Sequence, residues 1–218
     1  FDELLKNNVL NYFFVVFCLM ILINGNNFVD GINTLLINYY LIIFGTLLFF
    51  LPEFIHNTEF LKYFIILLLV ILVFNLSGKI ILGDSGSYIL GLFSGIYLIN
   101  FSNQNLFISP FFIILLLWYP CFELLFSMIR RSGSKTTMYK PDIYHLHQLL
   151  FNLFKKKVQV KNNINHFIVS SLINFYNIII IFIGVNYINQ TKKLIIIIIL
   201  NLIIYSLTYF FLRKNKSY

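Results

Sequence analysis

Long uninterrupted apolar segments constrain this chain more than any other feature of its sequence. Segments such as residues 64–74 and 194–200 contain no charged side chain. A bilayer core is ~30 Å thick, and a helix that rises ~1.5 Å per residue needs about 20 mostly apolar residues to cross it. The apolar runs are continuous and do not alternate with period two, so they predict membrane-spanning helices and not the strands of a barrel.

Composition supports the same fold class. Only 11% of the 218 residues are charged and 59% are apolar, whereas a soluble domain carries roughly 25% charged residues. A soluble enzyme, a disordered tail and a secreted disulfide scaffold are therefore excluded. Nucleic acid is not an expected partner, because the chain has no soluble basic module.

The predicted fold is an all-α polytopic membrane protein with about seven spans. Residues 1–218 form a single transmembrane domain, and residues 130–165 form a cytoplasmic loop that carries an interfacial helix. The predicted spans lie near residues 10–24, 34–52, 60–76, 86–101, 107–129, 166–188 and 194–212.

The basic residues predict the orientation, because cytoplasmic loops retain Lys and Arg. With seven spans, one side holds Lys79, Arg130, Arg131, Lys135, Lys140, Lys155, Lys156, Lys157, Lys161, Arg213, Lys214 and Lys216, and the other holds Lys6, Lys62, Lys192 and Lys193. The richer side is predicted to be cytoplasmic and to lie near anionic lipid headgroups. Three polar segments fall on that same side.

The first polar segment, residues 24–33, places four Asn, one Asp and two Gly between two apolar spans. Polar residues at membrane depth usually line a cavity or site. The Asp30 carboxylate can bind a hydroxyl, an amine or a divalent cation, while Asn27 and Asn33 offer amide donors and acceptors. An ordinary turn is the alternative, since Asn-Gly and Asp-Gly are turn dipeptides.

The second segment is Gly83-Asp84-Ser85-Gly86-Ser87, directly before an apolar span. Its glycines let a ligand approach the backbone, and the free N–H groups at a helix start favour phosphate. Asp84 suits Mg²⁺, which commonly takes one or two carboxylates together with phosphate oxygens. The alternative is that Asp84 or Ser85 is only a helix N-cap.

The third segment combines Asp142, His145 and His147 with an amphipathic helix. Apolar residues at helical spacing follow the histidines, and three lysines at 155–157 end the pattern, as expected for a helix in the membrane interface. The histidines can hold a phosphate or pyrophosphate. A zinc site is less favoured, because His-x-His lacks a second pair of ligands, and two interfacial histidines without a role are the remaining alternative.

In this order the three segments resemble the polyprenyl-phosphate N-acetylhexosamine-1-phosphate transferase family, which contains the MraY and WecA enzymes. The pattern Asn-x-x-Asn-x-x-Asp-Gly-x-Asp-Gly-Leu is met by Asn24, Asn27, Asp30, Gly31 and Leu35, and departs from it at Asn33 and Thr34. The pattern Gly-Asp-x-Gly-Ser-x-x-Leu-Gly is met by Gly83, Asp84, Gly86, Ser87, Leu90 and Gly91. The pattern Asp-x-x-His-Leu-His-His is met by Asp142, His145, Leu146 and His147, with Gln148 in the last place.

The resemblance runs over roughly residues 10–155. The family also carries an Asp-Asp-x-x-Asp motif in an early cytoplasmic loop, whereas the one adjacent acid pair here is Asp2-Glu3, on the predicted outer side. We therefore expect this chain to be the C-terminal part of an enzyme, whose missing N-terminal half lies upstream or on a partner chain. A homodimer is a second expected assembly.

The resemblance implies transfer of N-acetylhexosamine-1-phosphate from a UDP-amino sugar to polyprenyl (undecaprenyl) phosphate, with release of UMP, in cell-envelope polysaccharide or peptidoglycan synthesis. Mg²⁺ is the implied cofactor, with Mn²⁺ as a substitute. It implies metal ligands at Asp84 and Asp30 and catalytic roles for Asp84, Asp30, His145 and His147. The implied substrate-binding residues are Asn24, Asn27, Asn33, Gly83, Ser85, Gly86, Ser87, Arg130 and Lys140.

The implied location is the inner (plasma) membrane, with the active site facing the cytoplasm. Two other classes remain open at this point. A transporter or channel would depend on Glu123, the one acid within a predicted span. A non-catalytic membrane subunit would explain the spans but not three ordered polar clusters.

Overall fold

The computed structural model describes residues 8–132, 142, 144–158 and 161–215. Within them the chain is all-helical, with no strand. The helices are α1 (Asn8–Val29), α2 (Leu35–Phe50), α3 (Thr58–Leu76), α4 (Gly83–Gln104), α5 (Pro110–Leu116), α6 (Trp118–Ser132), α7 (Leu146–Val158), α8 (Asn162–Val185) and α9 (Thr191–Asn215), with a short 3₁₀ turn at Pro52–Phe54.

A helix lies at every predicted span, but the count of seven spans is not confirmed. Among the described residues, four helices are long and apolar enough to cross a membrane, namely α1, α3, α8 and α9, and the bent pair α5–α6 raises the number to five. Helix α2 has 16 residues, which gives it a length of about 24 Å. Helix α4 has 22 residues, but Gly, Ser, Asn and Asp dilute its apolar character.

Helix α1 is longer than predicted and takes in half of the first polar segment. It continues to Val29, so Asn24 and Asn27 lie on its last turns and only residues 30–34 form the connection to α2. Tertiary packing explains the extension: Asn26 is fully buried, and its amide exchanges two hydrogen bonds with the Tyr40 hydroxyl of α2, at 2.7 and 3.0 Å. Helix α1 packs on α4 and α6. Its polar C-terminal end therefore lies near the first turns of these two helices.

Thr34, directly before α2, has a left-handed backbone with φ 69°. That conformation is unusual for a β-branched residue and is held in place by its neighbours. Its backbone N–H donates to the Asn75 side chain at 2.6 Å, and its hydroxyl donates to Ser170 at 2.9 Å. Thr34 occupies the place of the second Gly in the pattern quoted above, where a left-handed conformation has no steric cost.

The predicted span 107–129 is broken, because α5 and α6 meet at an angle of 74°. Pro120 has no N–H to donate to the carbonyl of Leu116, which leaves that buried oxygen without its helical partner. The Tyr39 hydroxyl of α2 donates to this carbonyl at 2.7 Å and accepts a longer bond of 3.4 Å from the Tyr119 backbone N–H. A β-carbon on Gly25 would overlap the Pro120 carbonyl, so a glycine there lets α1 lie against the break.

The predicted amphipathic helix is present as α7, Leu146–Val158. Its apolar side packs on α8 and α9, where Leu146 and Leu149 are buried. Lys155 and Lys156 are exposed at its C-terminal end, where cations complement the helix dipole. Its place in the membrane interface stays a prediction.

Candidate functional site

The first and second polar segments lie against each other at the junction of α1 and α4. The side-chain amide of Asn27 donates from Nδ2 to the Tyr88 hydroxyl at 3.2 Å. Its side-chain oxygen, Oδ1, accepts from the Ser87 hydroxyl at 3.3 Å. Ser87 also donates to the backbone carbonyl of Asp84 at 3.0 Å, which fixes the first turn of α4. Residues about 60 positions apart in the chain are thus brought together.

Asp30 and Asp84 are close enough for their charges to interact. The pKa of Asp30 rises to about 7, chiefly because the carboxyl is buried; a hydrogen bond from the Gly83 backbone opposes the rise, and the charge of Asp84 adds to it. Asp84 itself is exposed. A cation bound between two such carboxylates would relieve their repulsion.

The remaining residues of these two segments have different surroundings. Gly83 has a left-handed φ of 63°, which a side chain would strain. Ser85 is exposed beside Asp84, and Gly86 lies against Leu82 at the start of the same helix. Asn33 is partly buried in the 30–34 connection. The Asn24 side chain is exposed and donates to the Met20 carbonyl of its own helix at 2.7 Å.

The third segment lies more than 100 residues after the first in the chain, and it also contacts the end of α1 and the connection that follows it. The Nε2 atom of His147 lies 3.2 Å from the position of a β-carbon on Gly31. The His145 ring lies 4.9 Å from the ring of Phe28, near the end of α1. The two histidine rings are parallel, with centroids 5.5 Å apart. All three predicted segments therefore meet around residues 27–31.

His147 is wholly buried and carries one nitrogen with no hydrogen-bond partner within the described part of the chain. That atom is Nε2, on the side of Gly31, while Nδ1 lies 3.4 Å from the Tyr119 hydroxyl. Burial lowers the pKa of His147 to about 4, against the opposing charge of Glu123. The imidazole is neutral at physiological pH, and its Nε2 is a buried polar atom that lies against Gly31.

Glu123, a residue that the motifs did not include, holds the other histidine. One carboxylate oxygen lies 2.9 Å from His145 Nδ1 and accepts from the Leu146 backbone N–H at 3.2 Å. The other oxygen accepts from the Tyr205 hydroxyl of α9 at 2.7 Å. The sequence signal for this contact was its position as the one acid within a predicted span, since such residues usually have a polar partner.

Asp142 pairs with Arg130 beside this group. It also accepts from the Ser127 hydroxyl at 2.6 Å and from the Tyr144 backbone N–H at 3.0 Å. Burial raises the pKa of Asp142, but these hydrogen bonds outweigh it and bring the pKa to about 2. Arg130, predicted to bind substrate, thus already has an anionic partner, and Lys140 lies outside the described residues.

The structure brings together the three motif segments that carry the resemblance. A comparison with known protein families covers the first two of these segments. Residues 2–102 match the family model described as glycosyl transferase family 4. The match confirms the resemblance over this part of the chain, which is slightly less than half of its length. The match takes in Asn27, Asp30 and Asp84 but ends before Asp142 and the histidines. Their place in the site is given by the structure. No curated protein and no solved structure matches the chain.

The family match supports the activity of a sugar-phosphate transferase of the MraY and WecA type. The residues present fit a divalent cation that shares its coordination with substrate. Within the described ranges, no three His, Cys, Asp or Glu side chains form a metal-ligating group, and Asp30 and Asp84 supply two carboxylates. Mg²⁺ commonly takes one or two carboxylates and completes its shell with water and phosphate oxygens.

Proposed function

We propose that the chain carries the site of an enzyme that transfers N-acetylhexosamine-1-phosphate from a UDP-amino sugar to polyprenyl phosphate and releases UMP. The observation that supports this most is the convergence of the three motif segments, with Asp30 beside Gly83 and Asp84 and with Gly31 against His147. The product would enter the synthesis of a cell-envelope polymer.

The proposed roles follow from the chemistry of phosphoryl transfer, in which a protein mainly positions the reactants and neutralises charge. Asp84, exposed at the start of α4, and Asp30 would hold Mg²⁺, which supplies charge neutralisation at the diphosphate. Asn27, fixed by Ser87 and Tyr88, would orient the nucleotide sugar. The buried Nε2 of His147 has no hydrogen-bond partner among the described residues and would contact a phosphate oxygen or a sugar hydroxyl once substrate binding exposes it.

The membrane setting is part of the proposal. The lipid acceptor requires an active site at the bilayer surface, and the excess of Lys and Arg near the polar segments favours the cytoplasmic face of the inner (plasma) membrane. The transporter alternative depended on Glu123. Both oxygens of that carboxylate are hydrogen-bonded within the protein, so no observation favours that alternative.

The test is UMP release by the protein as its gene encodes it in full, purified in detergent, with a UDP-N-acetylhexosamine, polyprenyl phosphate and Mg²⁺. We expect release to require all three and to fall about 100-fold in Asp84→Asn, since a displaced or weakened metal loses the charge that stabilises the transition state. Glu53→Gln, an exposed acid in the turn after α2, is the matched control. Full turnover in Asp84→Asn would contradict the metal assignment.

A further inference from the structure

Glu123 binds the histidine segment from inside the helix bundle. The residue is 1% exposed, on the half of the broken span that follows Pro120. Each carboxylate oxygen has a partner on a different element: His145 and the start of α7 on one oxygen, and Tyr205 of α9 on the other. One side chain therefore ties α6, α7 and α9 together at the site.

The contact with Glu123 determines which ring nitrogen of His145 carries a proton. An ionised carboxylate only accepts hydrogen bonds, so the nitrogen at 2.9 Å, Nδ1, must carry a proton. The other nitrogen, Nε2, lies 3.7 Å from Asp142. Because Oε1 also accepts from the Leu146 backbone N–H, the ring is held in a fixed relation to the first turn of α7.

The orientation of His145 in turn constrains His147. The two rings are stacked within 3° of parallel, and the backbone of Leu146 between them is fixed by the same carboxylate. His147 is the residue whose unpartnered Nε2 faces Gly31. A shift of Glu123 would therefore move the unpartnered nitrogen of His147 relative to the Asp30 and Asp84 segments.

We infer that Glu123 is a positioning residue for the transfer reaction, acting through His145, and that Tyr205 holds Glu123 in place. This inference rests on the proposed function. It assigns a role to α6 and to the last helix, both outside the region that matches the family model. It also predicts that the reaction needs correctly placed hydrogen-bonding groups at position 123, and not a negative charge.

The kinetic test uses two variants of Glu123. Glu123→Gln keeps a carbonyl oxygen for His145 and Leu146 and an amide group for the Tyr205 oxygen, so we expect kcat within about threefold of wild type. Glu123→Leu has similar size and no acceptor, and we expect kcat per folded protein to fall about 100-fold, as for a misplaced catalytic group. Equal losses in both variants would overturn the geometric role.

A double-mutant cycle distinguishes positioning from general support of the fold. If Glu123 acts through His145, adding Glu123→Leu to His145→Ala should lower the residual rate less than twofold, because the pathway is already lost. A further 100-fold fall in the double variant, or wild-type kcat per folded protein in Glu123→Leu alone, would contradict the inference. Tyr205→Phe should lower kcat about threefold in wild type and leave it unchanged in His145→Ala.

A third measurement needs neither activity nor a folded Leu variant. In protein labelled with ¹⁵N-histidine, with His145 assigned by its loss in His145→Ala, the imidazole shifts should show a proton on Nδ1. A neutral ring protonated on Nε2 alone would overturn the inference even if UMP release is confirmed. Conversely, an Nδ1 proton with no UMP release from wild type would contradict the proposed function and leave the contact standing.

Discussion

The unpartnered Nε2 of His147 lies 3.2 Å from where a β-carbon on Gly31 would stand. The two residues come from segments more than 100 positions apart, and Gly31 directly follows Asp30 in the chain. At this separation an added methyl group would displace the imidazole by a few tenths of an ångström. His147 is fully buried and stacked on His145, so it has little room to move.

We therefore expect Gly31→Ala to lower kcat for UMP release about tenfold, because displacement of a catalytic group has steep effects. Gly31 has no left-handed φ, so the effect is steric and not one of backbone strain. Gly45→Ala is the matched control: a β-carbon at Gly45 in α2 meets nothing within 4 Å, and the substitution should leave the rate unchanged. Equal activity of the two variants would show that His147 does not need its observed position.

Thr34 provides a test of backbone strain. Thr34→Gly and Thr34→Ala both remove the hydroxyl that donates to Ser170, but only the Ala variant keeps a β-carbon at φ 69°. Since the left-handed conformation costs an L-residue roughly 1–2 kcal/mol, the Gly variant should be the more stable of the two by about 1 kcal/mol. Thermal unfolding in detergent measures the difference, and an Ala variant as stable as the Gly variant would refute the strain.

The Arg130–Asp142 pair predicts a dependence of stability on pH. The pKa of Asp142 is about 2 in the folded protein and about 3.9 in an unfolded chain. A lowered carboxyl pKa stabilises the fold above the unfolded value, and this contribution is lost as pH falls from about 4 to 2. Asp142→Asn should therefore lower the free energy of unfolding at pH 7 by about 1–3 kcal/mol, with a smaller difference at pH 3.

The control for this pair is Glu59→Gln, which removes an exposed ion pair with Lys62. Exposed pairs contribute about 0–1 kcal/mol, so little change is expected. A difference between Asp142→Asn and wild type that stays constant from pH 7 to pH 3 would mean that the carboxylate charge is not what stabilises the segment.

Tyr39 and Pro120 predict a coupled effect on stability. Tyr39→Phe leaves the Leu116 carbonyl without its donor, and an unsatisfied buried acceptor costs about 1–3 kcal/mol. In a Pro120→Ala background the new backbone N–H can donate to that carbonyl, so the cost of Tyr39→Phe should fall below about 1 kcal/mol. Tyr63→Phe, an exposed tyrosine on α3, controls for loss of a hydroxyl. Equal costs in both backgrounds would contradict this account of the break.

The helix positions were predictable because lipid-facing helices are recognised by apolar length alone. What the sequence did not reveal was the break between α5 and α6, since Phe111, Phe112 and the following apolar residues continue to Trp118 without a polar interruption. Pro120 was a local signal, but a proline in a span does not by itself specify a bend of 74°. The continuation of α1 to Val29 was also missed, because the Asn-Gly dipeptide at 24–25 is typical of turns, whereas burial of Asn26 against Tyr40 outweighs that preference.

The site was predictable to the extent that its chemistry lies in ordered motifs. Asp30, Asp84 and the histidines were proposed as site residues from residue type and spacing, and the structure brings their segments together. Glu123 and Tyr205 were not assigned to the site, because they act through contacts 22 or more residues away in sequence and belong to no motif. Only the packing of α6 against the start of α7 and against α9 reveals them.

The bend at Leu117 also constrains how relatives of this chain can vary. The proline at position 120 removes a donor from one carbonyl and the hydroxyl at position 39 supplies another. Losing the hydroxyl alone leaves that carbonyl unsatisfied, whereas losing both lets the backbone N–H at position 120 satisfy it. We expect the two positions to change together among homologous sequences, with tyrosine at one wherever proline stands at the other. A pair of residues 81 places apart would thus evolve as a single character.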